Sequence, residues 1–302
     1  MCASSTSRLR SGGAVEFRRA TRFVGGGAGW RTLCVLLAVL PSLVAAGGCR
    51  AASPSVTAGV TIMGLPAYGL RVGTVTPGVF TFATREEWVK FWSSHRDGQI
   101  PAPEVDFSSW TIVGIFRGSR PNRGYGVEVT GGRTAGGELV LSVTDWLPDP
   151  TAGYSALVVY PFDIVAVPAG YRVKLTEERH QRGPNVPEKE LPLTLVPAVQ
   201  VRASTASQYV LFTDAQMWQR FWQAQGQAQP PAVDFGSNAV AGVLNDPAVR
   251  GAARAVRKGG AVRLEIEVTA TPSTPRPAST VLCLVPAAQR ISFSLQFTSD
   301  NH

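Results

Sequence analysis

Residues 82–129 read FATREEWVKFWSSHRDGQIPAPEVDFSSWTIVGIFRGSRPNRGYGVEV, and from Phe212 the chain begins the phrase again as FTDAQMWQRFWQAQGQAQPPAVDFGSNAVAGVL. Trp88, Phe91 and Trp92 recur as Trp218, Phe221 and Trp222 at an offset of 130, and Val105, Asp106 and Phe107 recur as Val233, Asp234 and Phe235 at an offset of 128. A helix, a loop, a fixed Val-Asp-Phe and an apolar strand would produce this spacing. The chain is read as two copies of one supersecondary unit.

In the first copy Thr84 opens the helix, with Glu87 three residues on to complete a capping box. Trp88, Phe91 and Trp92 share one face, His95 extends it by a turn, and Gly98 and Pro101 stop it. Such a stripe could stack on a sugar or a peptide. Core packing is the favoured reading, because the same three positions recur in the second copy. Asp106 and Asp234 could pair as catalytic carboxylates, but an Asp ahead of a strand more often binds the amides of its own turn.

WTIVGIF (110–116) reads as a central strand. Arg117, Gly118, Arg120, Pro121, Arg123, Gly124 and Tyr125 then form a candidate binding loop. Its three guanidinium groups could receive a carboxylate or phosphate with help from backbone amides. The alternative is a solvated hairpin turn. Alternating strands follow at Leu139, Leu141 and Val143, then ALVVYPFDIVAV (156–167) and YRVKL (171–175).

The second copy keeps the helix, the Val-Asp-Phe step and the strand, and its alternation is sharper. Val262, Leu264, Ile266 and Val268 face one way and Arg263, Glu265, Glu267 and Thr269 the other. Its counterpart of the arginine loop is read in NDPAVRGAARAV, with Ala252 in place of Tyr125, and Tyr160 is replaced near Val285 and Pro286. A site in that loop is therefore expected in the first copy alone. Cys283, within VLCLV, is expected to be a buried, inert thiol.

Composition narrows the function. The formal charge of +8 comes from 29 basic and 21 acidic residues, but residues 1–48 hold six arginines and one acid, leaving 23 against 20. No basic stripe interleaved with aromatics remains to argue for nucleic acid. TLCVLLAVLPSLVAA (32–46) is too short for a spanning helix and suits a signal peptide. Ala46, Gly47 and Gly48 before Cys49 resemble the lipobox of bacterial lipoproteins, in which the cysteine is acylated. Residues 1–48 are thus read as a lipoprotein signal peptide, Cys49 as the lipidation site and 49–58 as a tether. The folded part divides into a first domain at 59–177, a charged, proline-containing linker at 178–193 and a second, degenerate domain at 194–302. The expected fold class is α+β: two tandem repeats, each an antiparallel twisted sheet with one main amphipathic helix.

Gly118, Pro121, Gly124 and Tyr125, the Val-Asp-Phe unit before them and Tyr160-Pro161-Phe162 after them resemble the C-terminal domain of the protease complex subunit PrcB family. The resemblance covers roughly residues 80–175, with an echo over 208–297. It implies an exported, lipid-anchored protein that accompanies a surface protease without being one, and it carries over no catalytic residues. No G-x-S-x-G, HExxH, P-loop or cysteine–histidine arrangement argues for an enzyme, and no cofactor or metal is expected. The first functional expectation is a non-enzymatic envelope adaptor, held by lipid on the extracytoplasmic face of a membrane and bound to a protein partner such as a secreted protease. The second is a cell-surface module for a small anionic or glycan ligand, with Trp110 and Trp146 as exposed rings.

Overall fold

A computed structural model describes residues 58–97, 100–182, 187–196, 201, 207–227, 229–269 and 279–298. The segment read as a signal peptide, Cys49 and nearly all of the segment read as a tether lie outside the described residues. In chain order the first half holds β1 (Ala58–Val60), β2 (Ile62–Gly64), β3 (Gly78–Phe82), α1 (Arg85–His95), β4 (Trp110–Phe116) and β5 (Arg120–Asn122). It continues with β6 (Gly126–Ala135), β7 (Glu138–Leu147), β8 (Ala156–Val159), β9 (Phe162–Pro168) and β10 (Arg172–Gln181). The second half holds β11 (Lys189–Leu191), β12 (Thr194–Leu195), β13 (Gln208–Phe212), α2 (Ala215–Ala224) and β14 (Asn238–Asp246). It ends with β15 (Val249–Lys258), β16 (Ala261–Thr269), β17 (Ser279–Pro286) and β18 (Arg290–Thr298).

The α+β expectation is overturned: eighteen strands face two short helices among the described residues, and the molecule is mostly β. Each half contains two sheets where one was expected. The first pairs β3-β4-β9-β2 and β1-β6-β7-β10, and the second repeats this as β13-β14-β17-β12 and β11-β15-β16-β18. Nor are the sheets purely antiparallel, because β7·β10, β16·β18 and β18·β2 run parallel. The helix misleads because its aromatic face is the loudest signal in the sequence. The strands it packs on, β4 and β9, are apolar on both faces because a second sheet, rather than solvent, lies against the face the helix leaves uncovered.

That second sheet accounts for the burial. Ile62, Val113, Ile115, Val165 and Val167 form one core with Val129, Leu139, Leu141 and Val143 of β6 and β7. The opposite side chains of β4 and β9, Ile112, Ile164 and Ala166, join Trp88 and Trp92 of α1 in another. Trp88, Trp92, Trp218 and Trp222 are all buried, so the aromatic stripes are core. The loop after each helix folds back to receive the indoles: Trp88 Nε1 donates to Pro103 O at 2.7 Å, and Trp218 Nε1 to Pro231 O at 3.1 Å. Thr84 and Glu87 form the expected capping box, and Asp214 caps α2 alone.

The halves share one sheet. β2, at the edge of β3-β4-β9-β2, pairs with β18, so eight strands run continuously in the order β11-β15-β16-β18-β2-β9-β4-β3. Asp163 of β9 and Arg290 of β18 form a largely buried ion pair at this junction, with Arg290 Nη2 2.9 Å from Asp163 Oδ1 and a second contact from Nη1 to Oδ2. Both residues also serve Val129, where β6 bulges: its N–H donates to Asp163 Oδ2 at 2.7 Å and its carbonyl accepts from Arg290 at 2.8 Å. Burial works against the Arg290 charge, but Asp163 more than offsets it and the guanidinium pKa is raised.

Candidate functional site

The predicted loop is not a plain hairpin turn. Residues 120–122 form β5, which pairs with β8 as a separate two-stranded ribbon, Arg120 opposite Val159 and Asn122 opposite Ala156. Gly118 supplies the left-handed turn that launches it, at φ 68°. Gly124 closes it, because a Cβ there would stand 2.7 Å from Pro148 Cβ and 2.8 Å from the Tyr154 ring. Its N–H donates to Asn122 Oδ1 at 2.9 Å, and Tyr125 beside it is half-buried.

The three arginines do not converge on a ligand. Arg117 is committed to Asp145 at 2.7 Å and to Glu177 at 2.9 Å. Burial opposes its charge, and those two acids raise its pKa in spite of it. Arg120 donates weakly to Ser119 O at 3.3 Å, while Arg123 and Pro121 are exposed. What the sequence reading missed is that the run from Ala156 pairs with this loop and stays exposed: Leu157 is 43% exposed and Val158 58%, and Tyr160, just past β8, 37%. The ribbon therefore presents an apolar edge beside Arg120 and Arg123.

In the second half β14 reaches Asp246 and β15 starts at Val249, so a two-residue turn stands where the first half has residues 117–125. Ala252 does not replace Tyr125. It pairs with Ile266 as Val129 pairs with Val143, and so occupies the position of Val129. Pro286 likewise falls at the position of Pro168, not of Pro161, since each faces the first residue of its central strand.

The two aspartates stay in their turns. Asp106 accepts from the Ser108 N–H at 2.9 Å and from the hydroxyls of Ser108 and Ser109, and Asp234 accepts from the Gly236 N–H at 3.0 Å. Burial opposes ionisation of Asp106, but these donors prevail and lower its pKa. Cys283 is fully buried, and desolvation pushes its thiol up to about 12. Trp110 is core, not an exposed ring. Trp146 is half-buried, its ring centroid 6.1 Å from that of His180. Of the segment read as a linker, Lys189–Leu191 is β11 and pairs with β15.

Trp146 opens onto the second feature, a cleft of about 690 Å³. One wall is Glu128, Thr130 and Trp146 of β6 and β7, with Arg182 just past β10. The other is the β15–β16 turn with Arg263, Gln289, Arg290 and Ser292. It forms because β6 and β7 cover the β2-β9-β4 part of the eight-stranded sheet and stop short of β15, β16 and β18. Arg263 is held by Glu188 at 2.9 Å and Glu265 at 3.1 Å. A smaller cavity of about 370 Å³ lies by Tyr68 and Phe297, whose rings are 4.5 Å apart.

Among the described residues no group of three or more His, Cys, Asp or Glu side chains is arranged to hold a metal, and no helix is long and apolar enough to cross a membrane. No family model, curated protein or solved structure matches the chain.

Proposed function

We propose that this chain is a non-enzymatic adaptor of the bacterial envelope, held by lipid on Cys49 and recruiting an exported partner protein through the β5·β8 ribbon. The observation that carries the reading is the ribbon itself, with Leu157, Val158 and Tyr160 exposed beside Arg120 and Arg123. Apolar side chains ringed by arginine are typical of interface centres, where burial supplies affinity and the charges orient the partner. The occupant that fits is an apolar segment flanked by acids. The lipobox-like Ala46–Cys49 and the resemblance to the PrcB family support export and the adaptor role, and the same resemblance makes a secreted protease the first partner to seek.

The test places a photo-crosslinking residue at position 158 of the full-length protein in its own membranes, with position 174 on exposed β10 as the control. A discrete adduct at 158 and not at 174, abolished by Leu157→Glu, is the expected result. Cys49→Ala should move the protein out of the membrane fraction. Co-purification of the same partner with a Leu157→Glu, Val158→Glu double variant would sink the ribbon as its contact.

A further inference from the structure

We propose that the cleft between the halves binds an anionic sugar, a site independent of the ribbon. Its volume of about 690 Å³ matches a site for a small molecule. Four cationic side chains, Arg182, Lys258, Arg263 and Arg290, line it against one acid, Glu128. Two of the four are tied down: Arg290 is spent on Asp163 and Arg263 on Glu188 and Glu265. Their ion pairs fix the walls, Lys258 has an interaction of its own, and Arg182 is left to meet an incoming anion. Its side chain is exposed and forms no ion pair among the described residues, and only its backbone N–H is engaged, with Leu147 O at 2.9 Å.

Gly126 places that guanidinium. A Cβ at Gly126 would lie 3.0 Å from Arg182 Nη2 and 3.4 Å from Trp146 Cδ1, so the missing side chain lets the arginine fork and the indole approach each other over β6. A planar fork beside an aromatic face suits a ligand that carries a carboxylate or phosphate next to a ring. The electron-rich indole face accepts the C–H side of a sugar. Thr130, Gln289 and Ser292 add hydroxyl and amide groups around the same space, the partners that ring hydroxyls need. One aromatic ring is too little for a nucleic-acid strand, which wants successive platforms.

The experiment titrates the full-length protein in detergent with glucuronate, glucose 6-phosphate, inorganic phosphate and neutral glucose, by calorimetry and tryptophan fluorescence. Binding of one or both sugar anions is expected, the pair deciding between carboxylate and phosphate, with glucose and inorganic phosphate at least tenfold weaker. Arg182→Ala should weaken the sugar anion tenfold or more, about 1.4 kcal/mol. Gly126→Ala should weaken it less by displacing the guanidinium. Trp146→Phe should abolish the fluorescence response while circular dichroism stays unchanged. Absence of binding by both anions, affinity unmoved by Arg182→Ala, or inorganic phosphate binding as well as the sugar would each overturn the proposal.

Discussion

The two halves of the molecule begin the same strand with the same residue and then treat it differently. Arg172 opens β10 opposite Glu138, and Arg290 opens β18 opposite Ala261, at equivalent positions of the two parallel pairs. Arg290 is largely buried against Asp163, and β2 covers its strand. Arg172 is exposed and β10 stays at the edge of its sheet. The acid makes the difference: the position of Asp163 is taken by Val281 in the second half, since they face the equivalent Ile115 and Val243. A duplicated scaffold was joined once, at the place where arginine found a carboxylate. The other edge kept the charges, Lys174, Glu177, Glu178 and Arg179, that discourage strand pairing.

The most direct way to break this contrast is to remove the acid. Asp163→Ala leaves a buried guanidinium and an unpaired Val129 N–H, and should cost roughly 3–5 kcal/mol. Arg172→Ala, on the exposed equivalent, should stay within about 0.5 kcal/mol of wild type. Urea unfolding of both variants checks it, and equal losses would refute the junction's role. Next in size is the central-strand glycine. A Cβ on Gly242 would overlap the backbone of β17 at Val281, whereas one on Gly114 would meet the Phe116 ring at 2.8 Å. A ring can turn aside and a paired strand cannot. Gly242→Ala should therefore lose roughly 3 kcal/mol or more and Gly114→Ala about 1–2 kcal/mol, read as midpoints in the same titration.

These contrasts show how far the residues alone could carry the reading. The repeat, the helix limits, the capping box, the Asp106 turn and the alternation in β16 are local, and local physics writes them at fixed spacing. The second sheet of each half is long-range: β7 and β10 pair in parallel across an intervening ribbon, which no periodicity announces. The mostly-β outcome was hidden for that reason. Of the candidate loop, Arg117–Tyr125 was found but its use was not. Arg117 is answered by Asp145 and Glu177, and the exposed strand that faces the loop begins 31 residues after Tyr125. The cleft was illegible, because Arg182 sits in what reads as linker and Gln289 and Arg290 sit at the start of an ordinary strand. Only the join of β2 to β18 brings them to Trp146.

A smaller asymmetry lies under the helices. Trp92 Nε1 donates to Ile100 O at 3.0 Å, while the equivalent Trp222 Nε1 is buried with no partner among the described residues. Trp92→Phe strands a carbonyl and should cost about 1–2 kcal/mol more than Trp222→Phe, which removes a group with no partner among the described residues. Thermal melts of the two variants sharpen the comparison, and a reversed order would show that ring volume outweighs the hydrogen bond.

The smallest effect should be present at neutral pH and fade only in acid, and it comes only from the second half. Glu265 is 4% exposed on its side chain and binds Arg254 at 2.8 Å and Arg263 at 3.1 Å, whereas its counterpart in the first half is the exposed Ser142. The hydrogen bond from Arg254 outweighs burial and lowers the Glu265 pKa below the ordinary 4.5. A carboxylate whose folded pKa is depressed gives its full stabilisation above the unfolded value and loses it as pH falls through the folded one. Glu265→Gln should therefore cost about 1 kcal/mol at pH 7, modest because both arginines are partly solvated. The gap between variant and wild type should close as pH drops below 4.5. Denaturant midpoints taken from neutral to acid pH measure it, and a gap that stays constant through the titration would mean that shape rather than charge holds Glu265 in place.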